Sequence, residues 1–292
     1  MRQRILIDGT KLLDPRTDGI KRYVIELLRA MHRYAPRDWT IDVSLDPGFT
    51  LPLAQIAGHL ASPNPSFAGV VPRLLSPGPE NPLHQIRDRV KQRAPRSVWS
   101  IIRDHMALQT FRTARSGIRR WQEFRRRGGH YDLVHLTLPN TWHHVAGLQT
   151  RLLATVHDLC HLVCPQFQAP ANVHSLAAGL AFCEHRRANY IAVSNATRHQ
   201  LMQKLHVNAE RVRTVHEGVD HTRFTPHVSA AEQRRVRNRY HLGGAPFVLC
   251  VGTVEPRKNL TTAVRAFRRL PTDRRSADTR VGVATTANCN TT

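Results

Sequence analysis

The stretch Arg151-Leu-Leu-Ala-Thr-Val-His-Asp-Leu159 reads as a short apolar strand that stops at two polar residues, His157 and Asp158. A brief aliphatic run bounded by polar side chains suits a strand buried on both faces. The same pattern recurs on either side. Tyr131-Asp-Leu-Val-His-Leu136 leads to Pro139-Asn140, Tyr190-Ile-Ala-Val193 ends in Ser194-Asn195, and Arg211-Val-Arg-Thr-Val215 ends in His216-Glu-Gly-Val-Asp220. Helical patterns over 175–188 and 196–205 separate these runs, the second capped by Ser194 or Asn195. Strands alternating with helices predict an α/β fold with a parallel sheet. The carboxyl ends of such strands share one edge, where ligands bind. Asn140, His157, Asp158, Ser194, Asn195, Glu217, Gly218 and Asp220 therefore gather as a small-molecule site. His157 is the sharpest of them, placed to bond a sugar hydroxyl or to act as an acid or base, with Asp158 orienting it or capping the next helix.

Upstream, Arg4-Ile-Leu-Ile-Asp8 and Thr40-Ile-Asp-Val-Ser44 read as strands. The helix between them carries Ile20, Val24, Leu27, Leu28 and Met31 on one face. Gly19 at the helix start either allows close backbone approach to a phosphate or sugar or is a plain turn glycine. From 51 to 82 the chain is rich in Pro, Gly and Ser and reads as loops around one strand at Gly69-Val-Val71. Downstream, Phe247-Val-Leu-Cys-Val251 is a strand that turns at Gly252 into Glu255-Pro-Arg-Lys-Asn259 and a helix bearing Leu260, Val264, Phe267 and Leu270. Adjacent cations Arg257 and Lys258 at a strand-to-helix turn suit an anion. The segment 271–292 reads as an irregular, Thr- and Asn-rich tail.

The 292 residues hold 43 Lys and Arg against 21 Asp and Glu, a net charge of +22. That excess favours polyanions without specifying a fold. It is concentrated over 84–128, where thirteen basic residues face three acids (Asp88, Asp104 and Glu123) and alternate with Trp99, Ile102, Phe111, Trp121 and Phe124. Solvated surface helices, an anionic membrane surface and nucleic acid all remain open for this region. No base-reading module accompanies it, so no specific nucleic acid is expected. Five cysteines, odd in number and without paired zinc spacing, read as reduced thiols, with Cys250 in the core. No signal-peptide core or spanning apolar run is present, which places the expected protein in the cytoplasm or on the inner face of the membrane. G-x-G-x-x-G, G-x-S-x-G and H-E-x-x-H are all missing, so a dinucleotide fold, a serine hydrolase and a metalloprotease are not supported.

Taken together, Thr155-Val-His-Asp-Leu159, Ile191-Ala-Val-Ser-Asn-Ala-Thr197, Val215-His-Glu-Gly-Val-Asp220 with Phe224-Thr-Pro226, and Val251-Gly-Thr-Val-Glu-Pro-Arg-Lys-Asn-Leu260 resemble family-4 glycosyltransferases of the GT-B fold, particularly bacterial mannosyltransferase-like members. Arg16-Thr-Asp-Gly-Ile-Lys-Arg-Tyr23 resembles the family's N-terminal glycine loop. The resemblance implies two Rossmann-like domains, an acceptor-side N-terminal one and a donor-side C-terminal one. It implies retaining transfer of a hexose from a nucleotide-sugar donor to a glycan or lipid-linked acceptor in cell-surface polysaccharide synthesis, with no metal and no other cofactor. On that pattern His157 and Asp158 are catalytic; Gly19, Arg257 and Lys258 bind the donor; Asn140, Ser194 and Asn195 line the cleft. The chain departs from the pattern at Lys21, where a second glycine is common, and at His216-Glu217, which replace Pro-Asn. It also lacks the family's Glu-x7-Glu segment after Leu270. The expected domains are 1–222 (with a basic helical insertion at 84–128), a linker and helix at 223–246, the first strand and helix of a truncated donor domain at 247–270, and the tail. The alternative is a non-catalytic acceptor-binding or membrane-surface module.

Overall fold

The computed structural model describes residues 2–14, 17–46, 49–62, 65, 67, 130–243, 247–252, 254–270 and 280–284. The basic region 84–128 and the expected strand at 69–71 lie outside the described residues. The chain divides into two compact units, Met1–Leu159 with His174–His216, and Cys160–Val173 with Glu217–Thr292. The boundary at His216 precedes the one read at 222, and the crossing of Cys160–Val173 into the second unit is not foreseen by the sequence pattern.

The first unit is built on a seven-stranded sheet among the described residues: β1 (Gln3–Asp8), β2 (Trp39–Asp46), β3 (Phe49–Pro52), β4 (Leu133–Leu136), β5 (Arg151–Val156), β6 (Asn189–Ala192) and β7 (Val212–Thr214). Their order is β3-β2-β1-β4-β5-β6-β7. All pairs are parallel except β2 with β3. This α/β, Rossmann-like arrangement is the one the alternating pattern predicts. Side chains alternate across β1: Ile5 and Ile7 enter one core with Leu12, Val24, Ile25, Leu28 and Val43, whereas Leu6 enters another with Val134, Leu136, Ala154, Val156 and Tyr190. Burial on both faces explains why these strands read as continuous apolar runs.

Helix α1 (Gly19–Tyr34) covers the first face with Val24, Ile25 and Leu28. Helix α2 (Leu53–Leu60) buries Leu53, Ile56 and Leu60. Together with β3 it corrects the expectation of loops after residue 51. Its apolar residues follow helical spacing over barely two turns, too short to outweigh the surrounding Pro and Gly. Helices α3 (Pro170–His185) and α4 (Asn195–Lys204) contribute Leu180, Cys183 and Leu201 to the second face.

In the second unit, α5 (Ala230–Arg239) is followed by β8 (Phe247–Val251), α6 (Leu260–Arg268) and β9 (Arg280–Ala284). β9 pairs parallel with β8, from Phe247↔Arg280 to Val251↔Ala284. The tail expected to be irregular is therefore a strand over these five residues, and the second unit holds more than one strand and one helix. Val281, Val283 and Ala284 meet the exposed hydrogen-bonding edge of β8, a tertiary partner that local composition does not reveal. β8 remains accessible, with Leu249 54% and Val251 78% exposed. Cys250 is half-buried, not core as read. Among the described residues no helix is long and apolar enough to cross a membrane.

Candidate functional site at the carboxyl edge of the sheet

In the first unit, the strand order reverses between β1 and β4, and ligands collect beside the carboxyl ends at such a point. Asp8, the last residue of β1, is 2% exposed. Its Oδ1 accepts from the Thr10 amide at 3.1 Å and the Thr10 hydroxyl at 2.7 Å. Its Oδ2 accepts from Thr137 Oγ1 at 3.0 Å and Thr141 Oγ1 at 2.8 Å. One buried carboxylate thus ties the end of β1 to the residue after β4 and to the 3-10 segment Pro139–His144. Both oxygens are used, which a buried carboxylate requires.

His157 follows β5 and is half-buried. Its Nε2 lies 3.3 Å from the Thr137 carbonyl. A carbonyl only accepts, so Nε2 carries the proton of that bond. The Tyr23 ring stands edge-on to the imidazole at 4.9 Å and 85°. Tyr23 Oη is 2.9 Å from Thr155 Oγ1, which is 2.8 Å from Nε2 of the buried His135. Burial foremost, then the neighbouring His157, pushes the His135 pKa down to about 4. Neutral His135 therefore anchors a chain through Thr155 and Tyr23 to the ring that packs on His157.

Asn140 and His144 sit on the 3-10 segment after β4. Asn140 Oδ1 and His144 Nδ1 are buried without a hydrogen-bond partner among the described residues. Each such group costs about 1–3 kcal/mol, so their retention marks this segment as unusual. Burial, then His143, lowers the His144 pKa to about 4 against the opposing pull of Asp8. Helix α3 packs close behind: a Cβ at Gly179 would lie 2.2 Å from the Pro139 carbonyl oxygen. Trp142 stacks on Phe182 of α3 at 4.9 Å.

The remaining sequence-selected residues occupy varied settings. Ser194 caps α4, its Oγ accepting from the Thr197 amide at 3.0 Å and meeting Thr197 Oγ1 at 2.9 Å. Thr197 Oγ1 in turn donates to the His157 carbonyl at 3.3 Å, linking the cap to the end of β5. Asp158 and Asn195 are exposed. Gly19 begins α1, one turn before Tyr23, and an added Cβ would touch nothing. Steric need does not explain a glycine there. The helix start is already capped by Asp18, which accepts from the Lys21 amide at 2.8 Å. Lys11 bridges Asp14 at 2.7 Å and Asp18 at 2.8 Å, and Lys21, 3% exposed, donates to the Asp14 carbonyl at 2.5 Å. Two carboxylates therefore stand where a phosphate would approach, offset by two lysines.

In the second unit, β8 runs into Gly252 at φ +149°, a conformation other residues rarely adopt. Arg257 and Lys258 lie on the 3-10 turn Pro256–Lys258. Arg257 Nε pairs with Glu255 Oε2 at 2.5 Å, which partly spends its charge. Lys258 is exposed and makes no ion pair among the described residues. Glu217, Gly218 and Asp220, read from sequence as part of the same edge, belong to this unit and are exposed.

Asp8, Tyr23, His135, Thr137, Thr141 and Thr155 are the site residues that sequence reasoning passes over. Asp8 carries the one usable signal, a polar residue closing an apolar run just before a glycine. Among the described residues, no three His, Cys, Asp or Glu side chains are placed to hold a metal ion.

The chain has similarity to several known proteins. O-antigen chain mannosyltransferase B of Escherichia coli is 26% identical over 125 residues, which are 43% of this chain and 32% of that protein. The crystal structure of HepE from Anabaena in complex with UDP and glucose superposes with a TM-score of 0.49 at 12% identity, over 96% of this chain and 60% of that one. A second HepE structure, in complex with UDP, gives 0.47 at 11% identity with the same coverage. The chain thus spans less than two thirds of the length of each of these relatives. The sequence profile of Glycosyltransferase Family 4 matches residues 17–223, most of the sheet and the site residues of the first unit from Asp18 onward, and the chain belongs to that family.

Proposed function

We propose that this chain serves hexosyl transfer from a nucleotide-sugar to a glycan or lipid-linked acceptor, with retention at the anomeric carbon, in the making of a surface polysaccharide. The observation that carries the proposal is the grouping of His157, Asn140 and the Ser194 cap on one sheet edge inside the span that matches the family, held from outside that span by Asp8. The name of the Escherichia coli relative favours a mannose-like hexose. His157, fixed by the Thr137 carbonyl and Tyr23, contacts the transferred sugar, and Asp158 beside it is the second catalytic group. Asn140, Ser194 and Asn195 face the acceptor, whose hydroxyls would meet the unsatisfied Asn140 oxygen. Gly19 lies toward the donor phosphates. Arg257 and Lys258 neutralise the leaving diphosphate, a task for fixed cations where no metal is involved. Lys258 has its whole charge available for this, while Arg257 shares its own with Glu255.

A second reading, a non-catalytic acceptor-binding module, is favoured by the open faces of β8. Transfer of labelled hexose from GDP- and UDP-sugars to a bacterial lipid extract separates the two. Product that depends on His157 and persists in EDTA supports the enzyme. Acceptor retention with no product from any donor supports the module.

A further inference from the structure

The opposite edge of the first unit's sheet holds a cavity of about 530 Å3, lined among others by Asp132, Arg151, Arg186, Arg187 and Asn189. These residues stand at or just before the starts of β4, β5 and β6, so the cavity lies a strand length from His157, about 20 Å at the usual rise per residue.

Three guanidiniums meet there and none has a carboxylate partner among the described residues. Arg186 Nη2 donates to the carbonyls of Leu148 at 2.7 Å and Thr150 at 3.1 Å, which fixes its planar fork in place. Arg151 Nε donates to the Asp132 carbonyl at 3.1 Å. The Arg187 side chain is exposed and makes no hydrogen bond or ion pair with a described residue, and its backbone at φ +50° turns the chain sharply after α3. The lone lining carboxylate, Asp132, accepts from the Arg4 amide at 2.7 Å. Nearby Glu184 is engaged by Arg211 and Tyr190. Near the end of α3 the carbonyls of Phe182, Cys183 and Glu184 accept the amides of Arg186, Ala188 and Arg187 respectively. Arg151 and Arg187 are exposed and Arg186 is half-buried, so their charge is open to a ligand, and a preorganised guanidinium fork matches the oxygens of a phosphate.

We propose that this cavity binds a phosphate-bearing anion, with Arg151, Arg186 and Arg187 gripping the phosphate and Asn189 bonding the group it is attached to. The proposal is independent of the transferase reading, because none of these residues touches the carboxyl edge. A soluble phosphate compound and a phospholipid headgroup share this chemistry.

The test uses the full chain at physiological ionic strength, in calorimetric titration with inorganic pyrophosphate and in co-sedimentation with phosphatidylcholine vesicles with and without phosphatidic acid. The double variant Arg151→Gln/Arg187→Gln is compared with Arg37→Gln/Arg213→Gln, which removes equal charge from exposed positions elsewhere. Arg187→Gln alone serves where the double variant fails to fold. Loss of two charge-assisted contacts weakens binding roughly tenfold or more in the cavity variant and less than about twofold in the control. Cavity-dependent binding of pyrophosphate assigns a soluble ligand; cavity-dependent binding of acidic vesicles alone assigns a headgroup. No saturable binding in either arm, or equal losses in the cavity and control variants, overturns the proposal.

Discussion

Replacement of Asp8 tests whether one buried carboxylate organises the carboxyl edge. Its four bonds are of two kinds. The Thr10 amide and hydroxyl depend on Asp8 Oδ1 alone. Thr137 Oγ1 and Thr141 Oγ1 each have a second acceptor, the Asp8 carbonyl at 3.0 Å and the Leu138 carbonyl at 2.7 Å. In Asp8→Asn the side-chain oxygen still serves Thr10. The two amide hydrogens donate to the Thr137 and Thr141 oxygens, whose own protons turn to those carbonyls. Every partner is kept, and the loss is about 1–2 kcal/mol, since weaker neutral bonds are offset by cheaper burial of a neutral group. Asp8→Ala strands the Thr10 amide and hydroxyl, costing about 2–5 kcal/mol. Native-state hydrogen exchange at the amides of β1 and β4 reads both losses in the first unit. An asparagine variant as damaged as the alanine variant would refute the argument, because it would show that charge, not bond count, holds the edge.

Other expectations concern the same unit and its neighbour. His135 and His144 are held near pKa 4 in the fold and titrate near 6.5 when unfolded. The unfolded chain then binds more protons between those values, so stability is full above pH 6.5 and falls toward pH 4, by up to about 1.4 kcal/mol per pH unit for the fully buried His135 and less for His144. Urea midpoints across this window should flatten in His135→Gln; an unchanged slope contradicts the assignment. Gly179→Ala places a methyl against backbone atoms of Pro139 and Asn140 that have little freedom to yield. It should cost about 1–3 kcal/mol despite the better helix former, and a denaturation midpoint at or above wild type would disprove the contact. Amides of β8 should exchange faster than those of β1, β4 and β5, since the β8 side chains are exposed; equal protection would show that β8 is covered.

The fold was legible where burial and periodicity agree. The runs at 131–136, 151–156, 190–193 and 211–215 are apolar because helices cover both faces of their sheet, and each stops where the chain reaches the polar edge. Elements that depend on a distant partner were hidden. β9 contains Gly282 and lies beside Thr- and Asn-rich sequence, so nothing local distinguishes it until β8 offers an edge. α2 is too short for its spacing to prevail over its loop-like surroundings. At the site, strand-end residues such as His157 stand out by position. The Asp8–Thr137–Thr141 hub does not, because its partners are more than a hundred residues apart and threonine is unremarkable in a strand. Lys21, standing where a second glycine is common, is turned inward onto the Asp14 carbonyl, a use that its charge conceals.

Titration of the chain with UDP- and GDP-hexoses, following binding and product together, decides whether it handles a nucleotide-sugar as proposed. Saturable binding of one donor is expected, weakened roughly tenfold by Lys258→Ala through loss of an unshared cation on the diphosphate, with loss of product in His157→Ala and the fold intact. Absence of binding at millimolar donor, or binding and turnover indifferent to both substitutions, would contradict the proposed transfer.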